Sequence, residues 1–252
     1  MNQVLACIDN STYCNSVCDH AGWFASDPEV GVEVFHVVED LQSAGPVSGA
    51  PSGDPLIERA VSRLLEEGVG PITSARVHGD FVEQASQRQA NMIVMGKRGD
   101  QSQSERRTLG SSVDAMVRGC AKPICLASKY FLPIHRALVL LDADLEHRAA
   151  LEFVVSEARL SSLSLDVLVV GVSGQDAEPK VEWARGRLKG MVAQVSTLVA
   201  DGLDDAVTHY MQSGAADLVV ISRAVVAPAP EAKLQLIEAC GLWGARTPVL
   251  IC

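Results

Sequence analysis

The residues best suited to chemistry fall in one stretch: Gly96-Lys97-Arg98-Gly99, ten further residues, then Gly110-Ser111-Ser112-Val113. It follows the apolar run Met92-Ile93-Val94-Met95 and precedes a helical pattern that begins at Ser111. A glycine-bearing loop between the end of a strand and the start of a helix offers unpaired backbone N–H groups and the positive end of a helix dipole to an anion. Glycine lets the backbone approach a ligand closely or adopt φ > 0. The serine hydroxyls can cap the helix or donate to a phosphate. Lys97, Arg98, Arg106 and Arg107 against Asp100 and Glu105 leave the loop locally positive on an acidic chain, which suits an anionic ligand. The stretch therefore reads as a nucleotide phosphate site, with Met95 as the last strand residue beside it. The bland alternative is a structural turn.

The elements that must position this loop are legible as alternating β and helical patterns. In the first half the strands are Gln3–Asp9, Val32–Val38, Thr73–Val77, Met92–Met95 and Pro123–Ala127. Helical patterns cover Tyr13–Ala25, Pro55–Glu67, Phe81–Arg88 and Ser111–Cys120. Alternation of this kind predicts βαβ units on a parallel sheet. Right-handed crossovers favour the doubly wound order 3-2-1-4-5, whose switch point lies between strands 1 and 4. Asp9 ends strand 1 and Gly96 follows strand 4, so both are expected at one crevice. Val37 and Val38, ending the neighbouring strand 2, can reach it to meet a base.

The chain repeats itself. Ala137–Asp142, Leu165–Gly171, Gln194–Val199, Leu218–Ile221 and Pro248–Ile251 mirror the five strands. Ala90-Asn-Met-Ile-Val-Met95 corresponds to Ala216-Asp-Leu-Val-Val-Ile221, and Lys122-Pro-Ile-Cys-Leu126 to Thr247-Pro-Val-Leu-Ile251. The first half carries a net seven extra residues before its fourth strand; the Gly/Pro/Ser-rich segment Gln42–Asp54 is the expected insertion and reads as a mobile loop. Two domains follow, residues 1–130 and 131–252, with the boundary near Lys129–His135. The second half keeps an acid, Asp142, where the first has Asp9. It has no glycine from Ala215 to Cys240, and it places prolines after its fourth strand. It reads as a degenerate partner that packs on the first half as a second subunit would, an intramolecular pseudo-dimer with a homodimer also open. The fifth strands are expected to pair with each other.

Composition narrows the classes. The 252 residues are 48% hydrophobic but only 4% aromatic, which predicts a Val/Leu/Ile/Ala core of the parallel-sheet kind. The net charge of −10 divides evenly between the halves and disfavours nucleic acid as a partner. No apolar run reaches membrane-spanning length and no signal-peptide layout opens the chain, so a cytoplasmic protein is expected. Seven cysteines without a CxxC fit a reducing compartment; Cys14 and Cys18, one helical turn apart, are the one pair with a redox or metal alternative. The six histidines form no metal set, and His36 reads as a satisfied core histidine. P-loop, dinucleotide and nucleophile-elbow motifs are all absent.

A strand ending in Asp9, a strand Val34-Phe-His-Val-Val38, the Gly96…Gly99…Gly110-Ser111 loop and the final Lys122-Pro-Ile-Cys-Leu126 together resemble the universal stress protein family, in tandem across nearly the whole chain. The resemblance implies an α/β fold of two tandem flavodoxin-like doubly wound domains, each a five-stranded parallel sheet. It also implies ATP or AMP as ligand, with or without magnesium. Asp9 and Val37 would then meet the adenine and ribose, and Gly96, Gly99, Gly110, Ser111, Ser112 and Val113 the ribose and phosphates. The loop is one residue longer than the family's usual spacing.

The leading expectation is an adenine-nucleotide-binding stress or regulatory protein that changes the surface shown to a protein partner. No catalytic residues are assigned; slow ATP hydrolysis is the most that the crevice suggests. The alternative from another class is a nucleotide-free interaction or hydrophobic-ligand module.

Overall fold

The computed structural model describes residues 2–38, 54–98, 111–141, 148–170, 177–199, 203–212, 216–223 and 247–252. The chain divides into two compact units, Met1–Phe131 and Leu132–Cys252.

The first unit holds β1 (Gln3–Cys7), α1 (Cys14–Phe24), β2 (Gly31–Val38), α2 (Pro55–Glu66), β3 (Ile72–His78), α3 (Phe81–Ser86), β4 (Met92–Gly96), α4 (Ser111–Gly119) and β5 (Ile124–Ala127). Its strands are all parallel, in the order β3-β2-β1-β4-β5. β1 and β4, inside this order, are almost entirely buried, as is β5, while the edge strand β3 alternates between exposed and half-buried. That gradient is what a parallel sheet covered by helices imposes on its sequence: continuous apolar runs inside, mixed ones at the edge. The core is aliphatic as expected, joined by Phe24 and Phe35.

Helix boundaries have local chemical causes. Asp54 caps α2 by accepting from Leu56 N at 2.9 Å, with Pro55 at the first helical position. The other end closes at Gly68 (φ 75°), with Val69 N donating to Leu64 O and Gly68 N to Leu65 O, both at 3.0 Å. This is the paired C-terminal bonding that a left-handed glycine permits. Asp80 caps α3 through Glu83 N at 2.9 Å.

The second unit holds β6 (Arg136–Leu141), α5 (Ala149–Ser156), α6 (Ala158–Ser161), β7 (Ser164–Val170), α7 (Glu178–Arg187), β8 (Ala193–Leu198), α8 (Leu203–Gln212), β9 (Leu218–Ile221) and β10 (Val249–Ile251). Its parallel order, β8-β7-β6-β9-β10, is that of the first unit. The fold is two tandem flavodoxin-like α/β domains. The strand offsets refine the expected insertion. Gln3 to Arg136 and Gly31 to Ser164 both span 133 residues, Ile72 to Ala193 spans 121, and Met92 to Leu218 spans 126. The second unit is therefore twelve residues shorter between its second and third strands and regains five before its fourth. Residues 42–53 of the expected insertion lie outside the described residues, and Asp54 is the α2 cap. No described helix is long and apolar enough to cross a membrane.

Candidate functional site

Register puts the candidate residues within one step of a common level. On β1, Cys7 stands opposite Phe35 of β2 on one side and Met95 of β4 on the other. One step further come Ile8, His36 and Gly96; a second step brings Asp9, Val37 and Lys97. Ile8 N still donates to Phe35 O at 2.9 Å, so β1 keeps its alignment up to Asp9. Asp9 and Val37 thus stand at one level and Gly96 one step before it, at the carboxyl edge where β1 lies between strands reached by crossovers in opposite directions. Asp9 and Val37 are half-buried, whereas Met95 is 5% exposed and part of the core.

Asp9 closes a turn ahead of α1. Its Oδ1 accepts from Ser11 N at 3.0 Å, and Ser11 Oγ accepts in turn from Tyr13 N at 3.2 Å. Tyr13, the residue before the helix, provides no side-chain cap. Two short polar turns carry the chain from β1 into α1, in the way that Asx and Ser side chains replace a backbone turn.

Gly96 has a packing cause that the sequence did not reveal. A Cβ placed on it would lie 2.8 Å from Tyr13 Cβ and 3.1 Å from Tyr13 Cγ. The start of α1 rests directly on the end of β4, and the backbone there does not use the left-handed region. Lys97, one of the charges that make the loop positive in sequence, is itself withdrawn from solvent. It is 4% exposed, lying near enough to His20 to disfavour protonation of that ring.

The loop's far side is the start of α4. Ser111 is exposed, Ser112 half-buried, and Val113 is buried with Met116 and Val117 on the core face. Any contact from Val113 to a ligand is therefore a backbone contact. Asp114 in the first turn pairs with Arg118 at 2.9 Å, which tempers the carboxylate's repulsion of an anion at this helix end. Gly99 and Gly110 lie outside the described residues, as does Asp142 of the second half.

Two neighbours carry more than the sequence reading gave them, which had Asp54 only as the end of the insertion and Cys14 only as half of a pair with Cys18. Asp54 meets His36 Nδ1 at 3.3 Å and Arg76 Nε at 3.4 Å, so His36 is a paired, half-buried histidine at the edge of β2. Burial works to raise the Asp54 carboxyl, but the Leu56 amide and His36 outweigh it and hold it below the ordinary range. The Asp54-Pro55 dipeptide was the available signal, since it marks a helix start. Cys14, the first residue of α1, is the other. The Cys18 thiol donates to it and lowers its pKa, burial opposes this, and Arg59 of α2 lowers it further. Six cysteines are free thiols, and Cys240 lies outside the described residues.

In the second unit, Ser222 follows β9 where Gly96 ends β4. It is fully buried, and its hydroxyl has no hydrogen-bond partner among the described residues.

The model of the universal stress protein family matches residues 1–127. A universal stress protein of Synechocystis sp. is 22% identical, the match covering 88% of this chain and 89% of that protein. Among solved structures, a universal stress protein from Archaeoglobus fulgidus superposes with a TM-score of 0.68 at 15% identity, covering 100% of this chain and 98% of that one. A functionally unknown protein from Pseudomonas aeruginosa gives a TM-score of 0.64 at 15% identity, with 100% and 92% covered. These two likenesses show the fold, and the family match identifies the sequence within it. The chain belongs to the universal stress protein family.

Proposed function

We propose that the first unit of this stress-response protein holds an adenine nucleotide, ATP or AMP, at the carboxyl edge of its sheet. The observation that carries the reading is the placing of Asp9, just past the end of β1, level with Val37 of β2 and one step beyond Gly96 of β4, a ligand position of open α/β sheets. Asp9 and Val37 are the residues for ribose and base. Gly99, Gly110, Ser111, Ser112 and the Val113 amide are those for the phosphates, at the N-terminus of a nine-residue helix. Gly96 serves mainly to let Tyr13 settle and Met95 forms the wall behind, so neither is a selective probe of binding. The bound nucleotide would set the surface shown to a protein partner.

The test is calorimetric titration of ATP, AMP and GTP, with and without magnesium, on the full chain and on Gly110→Val and Asp9→Asn. One adenine-selective site per chain, weakened at least roughly tenfold by either substitution in a folded protein, is the expected result. Two sites per chain would show that the second unit also binds. Absence of binding, with no nucleotide retained through purification, would overturn the proposal in favour of an interaction module that acts through its surface.

A further inference from the structure

A cavity of about 400 Å3 lies at the edge of the first unit's sheet opposite the candidate nucleotide site, between the C-terminal ends of α1 and α2. This is within the range of small-molecule sites, roughly 300–1,000 Å3. Its walls combine Trp23, Phe131 and Pro28 with two carboxylic acids, Asp19 and Glu67, and no basic residue is among the described lining residues. We propose that this cavity is a binding site for a small organic ammonium ion.

The electrostatics favour a cation. Both helices point their negative ends at the cavity. Arg63 forms a fork on Asp19, its Nε donating to Oδ1 and its Nη2 to Oδ2 at 2.9 Å. That uses about half of the roughly four acceptor positions of a carboxylate. Glu67 stands beside this pair. Burial first, and then the charge of Asp19 and a hydrogen bond to it, raise the Glu67 carboxyl, with Arg63 opposing. Among the described residues Arg63 pairs with Asp19 alone while Glu67 hydrogen-bonds Asp19, so a second positive charge would be stabilised beside the ionised Glu67. Gly22 of α1 makes the arrangement possible. A Cβ on it would lie 3.1 Å from Glu67 Oε2 and 3.0 Å from Val69 Cγ2, in a helix interior where glycine is otherwise unfavourable.

The walls select the kind of cation. A bare divalent ion needs several oxygen ligands, and no group of three His, Cys, Asp or Glu side chains suited to a metal occurs among the described residues. Aromatic and proline surface beside a carboxylate pair matches an alkyl chain that ends in an ammonium, with cation–π attraction added to charge.

The probe is n-butylammonium chloride, titrated into the full chain and followed at the Gly22, Gly68 and Gly70 amides by NMR, with potassium chloride and butan-1-ol as controls. A saturable shift at these amides, absent with both controls, is expected, and affinity should rise with pH as Glu67 ionises. Glu67→Gln should weaken binding roughly tenfold, the worth of one hydrogen bond to a charged group. Gly22→Ala, which displaces the Glu67 carboxylate without removing it, should weaken it in the same direction. No saturable shift, an equal response to butan-1-ol, or affinity unchanged in both variants would each overturn the assignment.

Discussion

Tyr13 lies over Gly96, its Cβ 2.8 Å from the point where a Cβ on that glycine would stand. One residue opens α1 and the other closes β4, so this contact sets how the first helix sits on the strand that leads into the glycine loop. Asp9 and Ser11 fix the approach of Tyr13 through successive hydrogen bonds to Ser11 N and Tyr13 N. The same few residues thus shape the turn on both sides of the β1–β4 switch point.

Substitution of Gly96 should therefore cost stability before it costs binding. Gly96→Ala drives a methyl into Tyr13 Cβ, an atom close to the backbone that no rotamer change can move. The expected penalty is about 1–3 kcal/mol, as for other overpacked sites, read from urea unfolding. Tyr13→Ala keeps the offending Cβ and should not relieve it, whereas Tyr13→Gly should. A double-mutant cycle with Tyr13→Gly that showed simple additivity would contradict this account.

Most of the architecture was readable because burial writes itself locally into a parallel sheet. The apolar runs around Val34, Val94 and Val139 mark strands buried on both faces, and Asp54-Pro55 and Asp80 mark helix starts. The strand order followed from handedness and required no contact information. Contacts between segments distant in sequence were not readable. Nothing near Gly96 announces Tyr13, and nothing near His36 announces Asp54. Asp9 illustrates a second limit: an acid before a helix reads as a cap, yet an intervening serine let it close an earlier turn instead. Lys97 illustrates a third, since a charged residue in a loop reads as exposed until packing of the neighbouring helix is known.

Asp54 carries two separable duties, and two substitutions should divide them. Asp54→Asn retains an oxygen for Leu56 N but loses the charge that faces His36 and Arg76. Asp54→Ala loses both. The alanine variant should be less stable by about 1 kcal/mol or more, a usual value for a lost helix cap. The asparagine variant should fall by less, because Arg76 is substantially exposed and such ion pairs contribute little. Equal losses in thermal or urea unfolding would mean that the charge, not the cap, is what Asp54 contributes.

Cys14 should react ahead of the other buried thiols of the first unit. Its thiolate is favoured by the Cys18 thiol and by Arg59 against the opposing effect of burial, whereas burial pushes Cys7 and Cys125 upward. Limited iodoacetamide labelling followed by peptide mass mapping should find Cys14 modified before Cys7, Cys18 and Cys125. The pH midpoint of its labelling should lie below the ordinary thiol value of about 8.5 and should rise in Arg59→Ala and in Cys18→Ala. A midpoint indifferent to both substitutions would rule out the proposed cause.

His20 should make the protein lose stability in mild acid. Its ring is fully buried, with Nδ1 2.7 Å from Ser16 O and Nε2 3.4 Å from Ser128 Oγ. Burial depresses its pKa to about 4, outweighing the opposing pull of the Ser16 carbonyl and of Asp19, and Lys97 adds a smaller push in the direction of burial. An unfolded histidine titrates near 6.5, so between pH 6.5 and 4 the unfolded chain takes up the proton that the folded chain refuses. The stability that depends on a neutral His20 is thus complete above pH 6.5. It declines as pH falls through this window and levels off below 4, a total of about 3 kcal/mol. Urea unfolding measured across the window should show that slope in the natural sequence and lack it in His20→Gln, whose amide can still donate to the Ser16 carbonyl. Parallel pH profiles for the two proteins would place the acid sensitivity elsewhere, among the carboxylates; these contribute stability that is lost as pH falls through their own lower pKa values, chiefly below the window assigned to His20.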